Sequence, residues 1–322
     1  MSRIAQVLEQ RLGLEQRVDL NTGDLSAGGA IPAESAKKFI STMYNATPLL
    51  SQATQMTMNA TTMNLPNIGI GRVLKKDYGG ENAEVPTAKR VKPTTGKSTI
   101  TAEKLRGRVD ISYDFLEDNI EKEGFQQSLL MEHIAPAAGR DLADSALNAD
   151  QTTVEVDDDT GALSVHDGWL VQVVSNVVDA GGAGIDSALL HAIYKAMPAK
   201  FIDPNPANFK FFPSRDLALD WAKQVSDRMT PAGDRALSEG DIPPFRNRPV
   251  IGDVNIRQEN SKDRGIFCDP KNLVVGVHSD IRIKVQDWPD TESVRIYVSV
   301  RCGFALYLEE AAVKFVNVTA LS

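Results

Sequence analysis

PNIGIGRVLKKDYGGENAEVPTAKRVKPTTGKSTITAEK, residues 66–104, is the stretch on which the fold turns. It holds Gly69, Gly71, Gly79, Gly80 and Gly96, three prolines (Pro66, Pro86, Pro93) and a single aromatic, Tyr78. Its charge is inverted relative to the rest of the chain. Arg72, Lys75, Lys76, Lys89, Arg90, Lys92, Lys97 and Lys104 oppose Asp77, Glu81, Glu84 and Glu103, a local +4 in a protein whose net charge is −8. The other residues therefore carry −12. A segment this long with so little core-forming pattern is unusual inside a compact domain. A two-stranded arm reaching off the body accounts for it. Such an arm cannot bury its own faces, so it needs a neighbour.

On the N-terminal side, Ile4, Val7, Leu8 and Leu12 have helical spacing, broken at Gly13, and read as a short docking arm. NTGDLSAGG (21–29) is turn-rich, and Pro32 opens a helix over AESAKKFISTMY. Loose alternation from Thr54 to Ile70 predicts strand. On the C-terminal side, a long helical pattern runs from Phe125 to Asn148, with a stripe at Phe125, Leu129, Ile134, Ala138, Leu142, Ala146 and Leu147. Pro136 should kink or divide it. Glu117, Asp118, Glu121 and Glu123 are placed at its beginning, where the helix dipole favours negative charge.

Beyond Asp150 the texture changes. VEVDDDTGALSVHDG is laden with turns, and GWLVQVVSNVVDA (168–180) reads as a buried strand. Asp186 caps a helix, SALLHAIYKAM, that stops at Pro198. FKFFP is a short strand, and RDLALDWAKQVSDRM a helix with Leu217, Trp221, Val225 and Met229 at four-residue intervals. PVIGDVNIR reads as strand after a loop. From there the pattern is β to the end: Ile281/Ile283/Val285, Val294/Ile296/Val298/Val300/Cys302 and Val313/Phe315 alternate with polar partners.

At 322 residues the chain is long enough for two domains with self-sufficient cores. An apolar content of 42% and a charged content of 24% fit a soluble globular protein. No run approaches the roughly 18 apolar residues of a membrane helix, and the charged N-terminus does not resemble a secretory signal, so we expect a soluble protein made inside the cell. The negative charge argues against a protein that grips nucleic acid tightly. Cys268 and Cys302 are read as two buried thiols, and His133, His166, His191 and His278 are too scattered for a histidine-rich metal site.

Three local patterns suggest chemistry and fail their physical requirements. TGKST (95–99) ends like a phosphate loop, but position 91 is Val where Gly is required, and strand rather than helix follows. DAGGAGID (179–186) lies between strand and helix, yet Ser187 occupies the third glycine position of a dinucleotide fingerprint. Asp157–Asp159 are consecutive carboxylates, which cannot converge on one cation without further ligands. No nucleophile–base constellation, cofactor site or metal site is expected.

Taken in order, the segments resemble the major capsid proteins of tailed bacteriophages, the Hong Kong 97-type fold. GGAIPAESAKKFI resembles the family's junction between N-arm and first helix, and 66–104 occupies the place of its extended loop. EKLRGRVDISYDFLEDN resembles the strand-to-helix junction at the loop's base, and GRDLADSALNAD the end of the spine helix. MPAKFIDPNPANFKFFPSRD, RMTPAGDRAL and RPVIGD resemble the axial domain. IFCDPKNLVVGVHSDIRIKV and VRIYVSVRCGFALYLEEAAVKFVNV resemble the closing peripheral strands. The family's usual Gly-Asp-Gly after the spine is here Asn148-Ala149-Asp150.

The resemblance implies an α+β fold with an N-terminal arm at 1–30, an extended β-hairpin loop at 66–104 and an axial domain at 151–270. The peripheral domain would comprise 31–65, 105–150 with the spine helix, and 271–322. It implies a head protein, not an enzyme, that self-assembles as hexamers and pentamers into an icosahedral virion shell in the host cytoplasm. A separate scaffolding protein (expected because only about 27 residues precede GGAIP and the chain starts at Met1), a portal protein and non-specifically contacted double-stranded DNA would be its partners, with no membrane. Arg72, Lys75, Lys76, Lys89, Arg90 and Lys92 of the loop are expected to contact an adjacent subunit, with Glu117, Asp118, Glu121 and Glu123 as a complementary surface. An encapsulin shell shares the fold and is the alternative; a soluble α/β enzyme is a remote one.

Overall fold

The computed structural model describes residues 47–69, 90, 94–118, 133–152, 163–202, 206–227 and 242–320. The expected helices at 2–18 and 33–44, residues 70–89 and 91–93 of the 66–104 segment, Glu121 and Glu123 of the acidic cluster, and Asp157–Asp159 lie outside them.

Helix α1 (Pro48–Gln52) leads into β1 (Thr54–Thr57), β2 (Thr62–Gly69), β3 (Thr94–Thr101), β4 (Glu103–Ser112) and α2 (Tyr113–Asp118). The middle of the chain contributes α3 (Ala135–Asn148), α4 (Trp169–Gln172), β5 (Val177–Asp179), α5 (Ser187–Ala196), α6 (Ala199–Ile202), β6 (Lys210–Pro213) and α7 (Arg215–Ser226). The remainder is β: β7 (Asp263–Cys268), β8 (Leu273–Trp288), β9 (Ser293–Leu306) and β10 (Ala312–Val318). The class is α+β, as the sequence implied. The strands form one sheet of order β1-β8-β9-β4, a second of order β5-β10-β7-β6, and the two-stranded β2–β3 hairpin.

The described residues fall into two compact units, one of 106–118, 133–136 and 281–299, the other of 47–69, 90, 94–105, 137–152, 163–202, 206–227, 242–280 and 300–320. In the second unit, α5 and α7 supply Leu189, Leu190, Ile193, Leu217, Trp221 and Val225 to a core closed by Phe211, Phe267, Val313 and Phe315. Phe211 stacks on Phe267 with centroids 4.3 Å apart. Each such buried side chain contributes ~1.5–3 kcal/mol relative to exposure, so this cluster is a large part of the unit's stability. The Asp186 carboxylate accepts from Leu189 N at 2.6 Å and starts α5 as expected. Gly181 and Gly182, both at positive φ, make the turn before it, where a side chain would be strained. Cys268 and Cys302 are free and buried, as the sequence suggested.

Two expectations are corrected. GWLVQVVSNVVDA is not one strand: Trp169–Gln172 is a helical turn begun at Gly168, and only Val177–Asp179 is extended. An apolar run alone does not separate a buried helical turn from a strand, and Gly168 packs its Cα against the end of α3, where a Cβ would lie 2.7 Å from the Leu147 carbonyl oxygen. PVIGDVNIR makes only isolated parallel bridges, Phe211 to Val250 and Ser214 to Asp253, because the Asp253 carboxylate turns the chain by accepting from Asn255 N at 2.9 Å. Glu117 and Asp118 end α2, and residues 119–132, where the long helix was expected to begin, lie outside the described residues. Pro136 is the second residue of α3, which directly follows the π-helical His133 and Ile134, so the helix changes form beside the proline, where a kink or division was expected. In the described part of the stripe, Leu142, Ala146 and Leu147 are buried and Ala138 half-buried.

Candidate intersubunit surfaces

The hairpin is in continuous antiparallel register from Thr62↔Thr101 to Gly69↔Thr94. Its base, unlike an isolated pair of strands, has a core of its own. Leu65 and Ile100 pack with Met58, Ala102, Val274 and Ala305. Close backbone approach makes this possible: a Cβ on Gly303 would lie 2.2 Å from the Thr101 carbonyl oxygen, and one on Gly276 would lie 2.5 Å from Met58 Sδ. Polar ties finish the root. The Tyr307 hydroxyl donates to the Pro66 carbonyl at 3.2 Å, Ser98 Oγ to the Tyr307 carbonyl at 3.3 Å, and Thr99 Oγ1 to Asn64 Oδ1 at 2.9 Å. The TGKST sequence lies on β3, in the extended conformation that rules out a phosphate-cradling helix start.

Arg72, Lys75, Lys76, Lys89 and Lys92 lie outside the described residues, as do Glu121 and Glu123. Arg90 is described and exposed. Glu117 and Asp118 end α2. In the first unit, β4 is an edge strand, and of its residues only Ile111 is buried. Its charges blunt the edge against indiscriminate pairing: Arg108 Nε meets Asp110 Oδ1 at 3.1 Å. Arg295 lies over the Trp288 ring at 4.5 Å, with its Nε 3.7 Å from Asp110 Oδ2, an ionic contact too long for a hydrogen bond.

A cleft of about 410 Å³, which no pattern in the sequence announces, lies in the second unit. One wall is the hairpin's own strand, through Ser98, Thr99 and Thr101; Glu103, His166 and Asp167 face the same space, with Phe304 and Glu309. Among the described residues, no lysine or arginine lines it. Burial works against the Glu309 carboxylate, but the Ser175 hydroxyl and the Ser175 and Val174 amides donate to it and hold its pKa below the usual range. Asp167 Oδ1 accepts from Gln151 N at 3.1 Å. His166 is 4% exposed and rests edge-on against Phe304, centroids 5.3 Å apart. Its Nε2 is buried with no hydrogen-bond partner among the described residues. Burial pushes the imidazole's pKa down, against the pull of the Glu103 and Asp167 charges, and favours the neutral ring. Among the described residues, no group of three or more His, Cys, Asp or Glu side chains is placed to hold a metal ion, and no helix is long and apolar enough to cross a membrane.

Comparison with known proteins places these surfaces in context. The model of the Phage capsid family matches residues 27–317. The putative prophage capsid protein YqbE of Bacillus subtilis (strain 168) is 27% identical over 311 residues, which span 94% of this chain and 97% of that protein. The fold is similar to that in the satellite phage P4 procapsid including the size determination (Sid) protein, with a TM-score of 0.66 at 12% identity, over 99% of this chain and 98% of that one. It is also similar, with a TM-score of 0.53 and 12% identity, to the SrpI encapsulin of Synechococcus elongatus PCC 7942, over 86% of this chain and 90% of that one.

Proposed function

Because the chain belongs to the phage capsid family, we propose the following account of how its sequence serves a shell. It is a major capsid protein with a Hong Kong 97-type fold, a structural component of a bacteriophage head that assembles with copies of itself into an icosahedral shell. The match of the family model along residues 27–317 carries this reading. The encapsulin likeness extends to the fold, and the family match favours a genome container over a cargo compartment.

The finer assignment follows the expectations above. Residues 1–30 form the arm, 66–104 the extended loop, 151–270 the axial domain, and 31–65, 105–150 and 271–322 the peripheral domain. Hexamers and pentamers build the shell in the host cytoplasm, with a separate scaffolding protein and a portal protein. Arg72, Lys75, Lys76, Lys89, Arg90 and Lys92 contact acidic surface on the adjacent subunit, with Glu117, Asp118, Glu121 and Glu123 as one such surface. Each exposed pair contributes under ~1 kcal/mol, and a closed shell repeats it at every subunit. The −8 net charge keeps the inner wall from holding packaged DNA by counterion release. The role is structural, without catalysis.

Mass photometry with negative-stain images of the purified chain tests the reading. Six 35.0 kDa subunits give rings of about 210 kDa, and rings or closed shells are the expected result; encapsidated DNA separates a phage head from an encapsulin. A chain that stays monomeric when concentrated in the presence of phage lysate contradicts the assignment. Neutralising Lys75, Lys76, Lys89 and Arg90 together is expected to prevent normal shells, and normal shells from that variant would remove the loop from the interface.

A further inference from the structure

A two-residue turn beside the α5–α7 core gathers two positive charges. The Phe245 and Arg248 amides each donate to the other's carbonyl, at 2.9 and 2.8 Å, with Arg246 and Asn247 between them at φ 49° and 62°. Turns with two such central residues favour Asn, Asp or Gly, so Arg246 is held there against its own backbone preference. The core fixes the turn in place. The Phe245 ring meets Phe211 and Trp221 edge-on, centroids 6.0 and 5.8 Å apart, and Trp221 Nε1 donates to the Pro243 carbonyl at 2.8 Å. Both arginines reach one aromatic ring on α5: Arg246 Cζ lies 5.7 Å and Arg248 Cζ 6.0 Å from the centroid of Tyr194. Arg248 is 8% exposed, and its Nε is buried with no hydrogen-bond partner. Among the described residues, no carboxylate pairs with either guanidinium, and no carbonyl at the end of α5 accepts from them.

We propose that Arg246 and Arg248, backed by Tyr194, bind a phosphate-class oxyanion: inorganic phosphate or a free phosphate monoester. Arginine stays cationic when buried, and a buried charge without an opposite one is costly, so an anion completes the pair. The guanidinium fork matches the oxygens of carboxylate and phosphate alike. Two forks offer more donors than the two oxygens of a carboxylate can accept, whereas a tetrahedral oxyanion has oxygens for both and more charge to set against them. The half-buried Tyr194 ring restrains both side chains before the anion arrives, so less freedom is lost on binding. Charge favours a free anion over a duplex as the source. Duplex binding gathers its strength from many phosphate contacts, and this chain carries −8. The site needs neither the 66–104 loop nor a second copy, and it stands or falls apart from the shell reading.

The test titrates the 322-residue chain with inorganic phosphate at constant ionic strength, reading the 31P line width and the melting temperature. The expected result is line broadening and a rise in melting temperature that sulfate reproduces and chloride does not. Arg246 is exposed, so R246Q leaves the core intact and is expected to weaken phosphate binding about tenfold. R248M is expected to abolish it; if that buried substitution prevents folding, R246Q decides alone. A wild-type chain that responds to phosphate no more than to chloride has its arginines answered already, and overturns the site. Phosphate binding of equal strength in R246Q and wild type overturns it as well. Short duplex DNA is titrated in parallel: binding that R246Q weakens, without any response to inorganic phosphate, makes nucleic acid the source and overturns the free anion.

Discussion

The Asn148 side-chain carbonyl accepts a hydrogen bond from Arg264 Nη2 at 3.0 Å, tying the last residue of α3 to the start of β7. The same oxygen accepts from Arg257 N at 3.2 Å, and Asn148 Nδ2 donates to the Asn255 carbonyl at 2.5 Å and to Asp144 Oδ1 at 2.6 Å. Arg257 Nε closes the circuit on Asp144 Oδ1 at 2.9 Å. Every polar atom of the buried amide is used, which is the condition under which an interior polar network stabilises.

Asn148→Ala removes four of these bonds at once and leaves the Asn255 carbonyl and Arg264 Nη2 without that partner, while the rest of the largely buried Arg264 head keeps its bonds to the Arg257 carbonyl and Glu259. We expect a loss of about 2–3 kcal/mol, read as a lower midpoint in urea unfolding of the unassembled chain. An unchanged midpoint would mean that water replaces the amide at no cost.

The base of the hairpin makes a second, sharper test. Gly303→Ala puts a methyl 2.2 Å from the Thr101 carbonyl oxygen and 2.8 Å from Ile100 Cγ2. The clash is with backbone, so β9 or β3 must move, at a cost of about 3 kcal/mol. Gly107→Ala meets nothing within 4 Å and should stay within ~0.5 kcal/mol of wild type. Thermal unfolding of the two variants side by side measures the contrast, and equal melting temperatures would contradict the close packing.

Legibility followed how local each signal was. Asp186 announced α5 because a cap acts over three residues, and β9 announced itself because Val294, Ile296, Val300 and Cys302 keep period two over its length. The 66–104 segment reads as an arm from its lack of core residues, but Ile100, on the described strand β3, is buried against Met58 and Val274, partners that no local window of sequence contains. The Trp169–Gln172 turn was missed because an apolar run has no period of its own; the close contact of Gly168 with Leu147 decides it from 21 positions away. The cleft was illegible. His166 stands in a polar, turn-rich stretch, and Glu103, Phe304 and Glu309 reach it only through tertiary packing, so no window of sequence contained the site.

Both thiols should be inert in the native chain. Burial pushes the Cys302 thiol up to about 12 and Cys268 well above its usual range, aided there by the Asp269 charge. The thiolate is the reactive form, so iodoacetamide at pH 8 is expected to label neither until denaturant is added. Labelling of either one in folded protein would show that its surroundings open under native conditions.

Acid should weaken the fold through His166 before it reaches the carboxylates. Burial keeps the folded imidazole's pKa below 6.5, while the unfolded chain's histidine takes up its proton near that value. Between the two, the unfolded state binds the extra proton, so stability falls as pH drops through the window, by at most ~1.4 kcal/mol per pH unit. Asp150, held low by Thr152, and Glu309, where hydrogen bonds outweigh burial, have folded values below 3.8 and 4.5. Stability from those two is present above their unfolded values and is lost only at lower pH, which separates the windows. His166→Leu keeps the apolar contact with Phe304 and removes the titration. Melting temperatures at pH 7.5 and 5.5 should therefore diverge less for the variant than for wild type, and parallel shifts would show that His166 is protonated in the folded chain without cost.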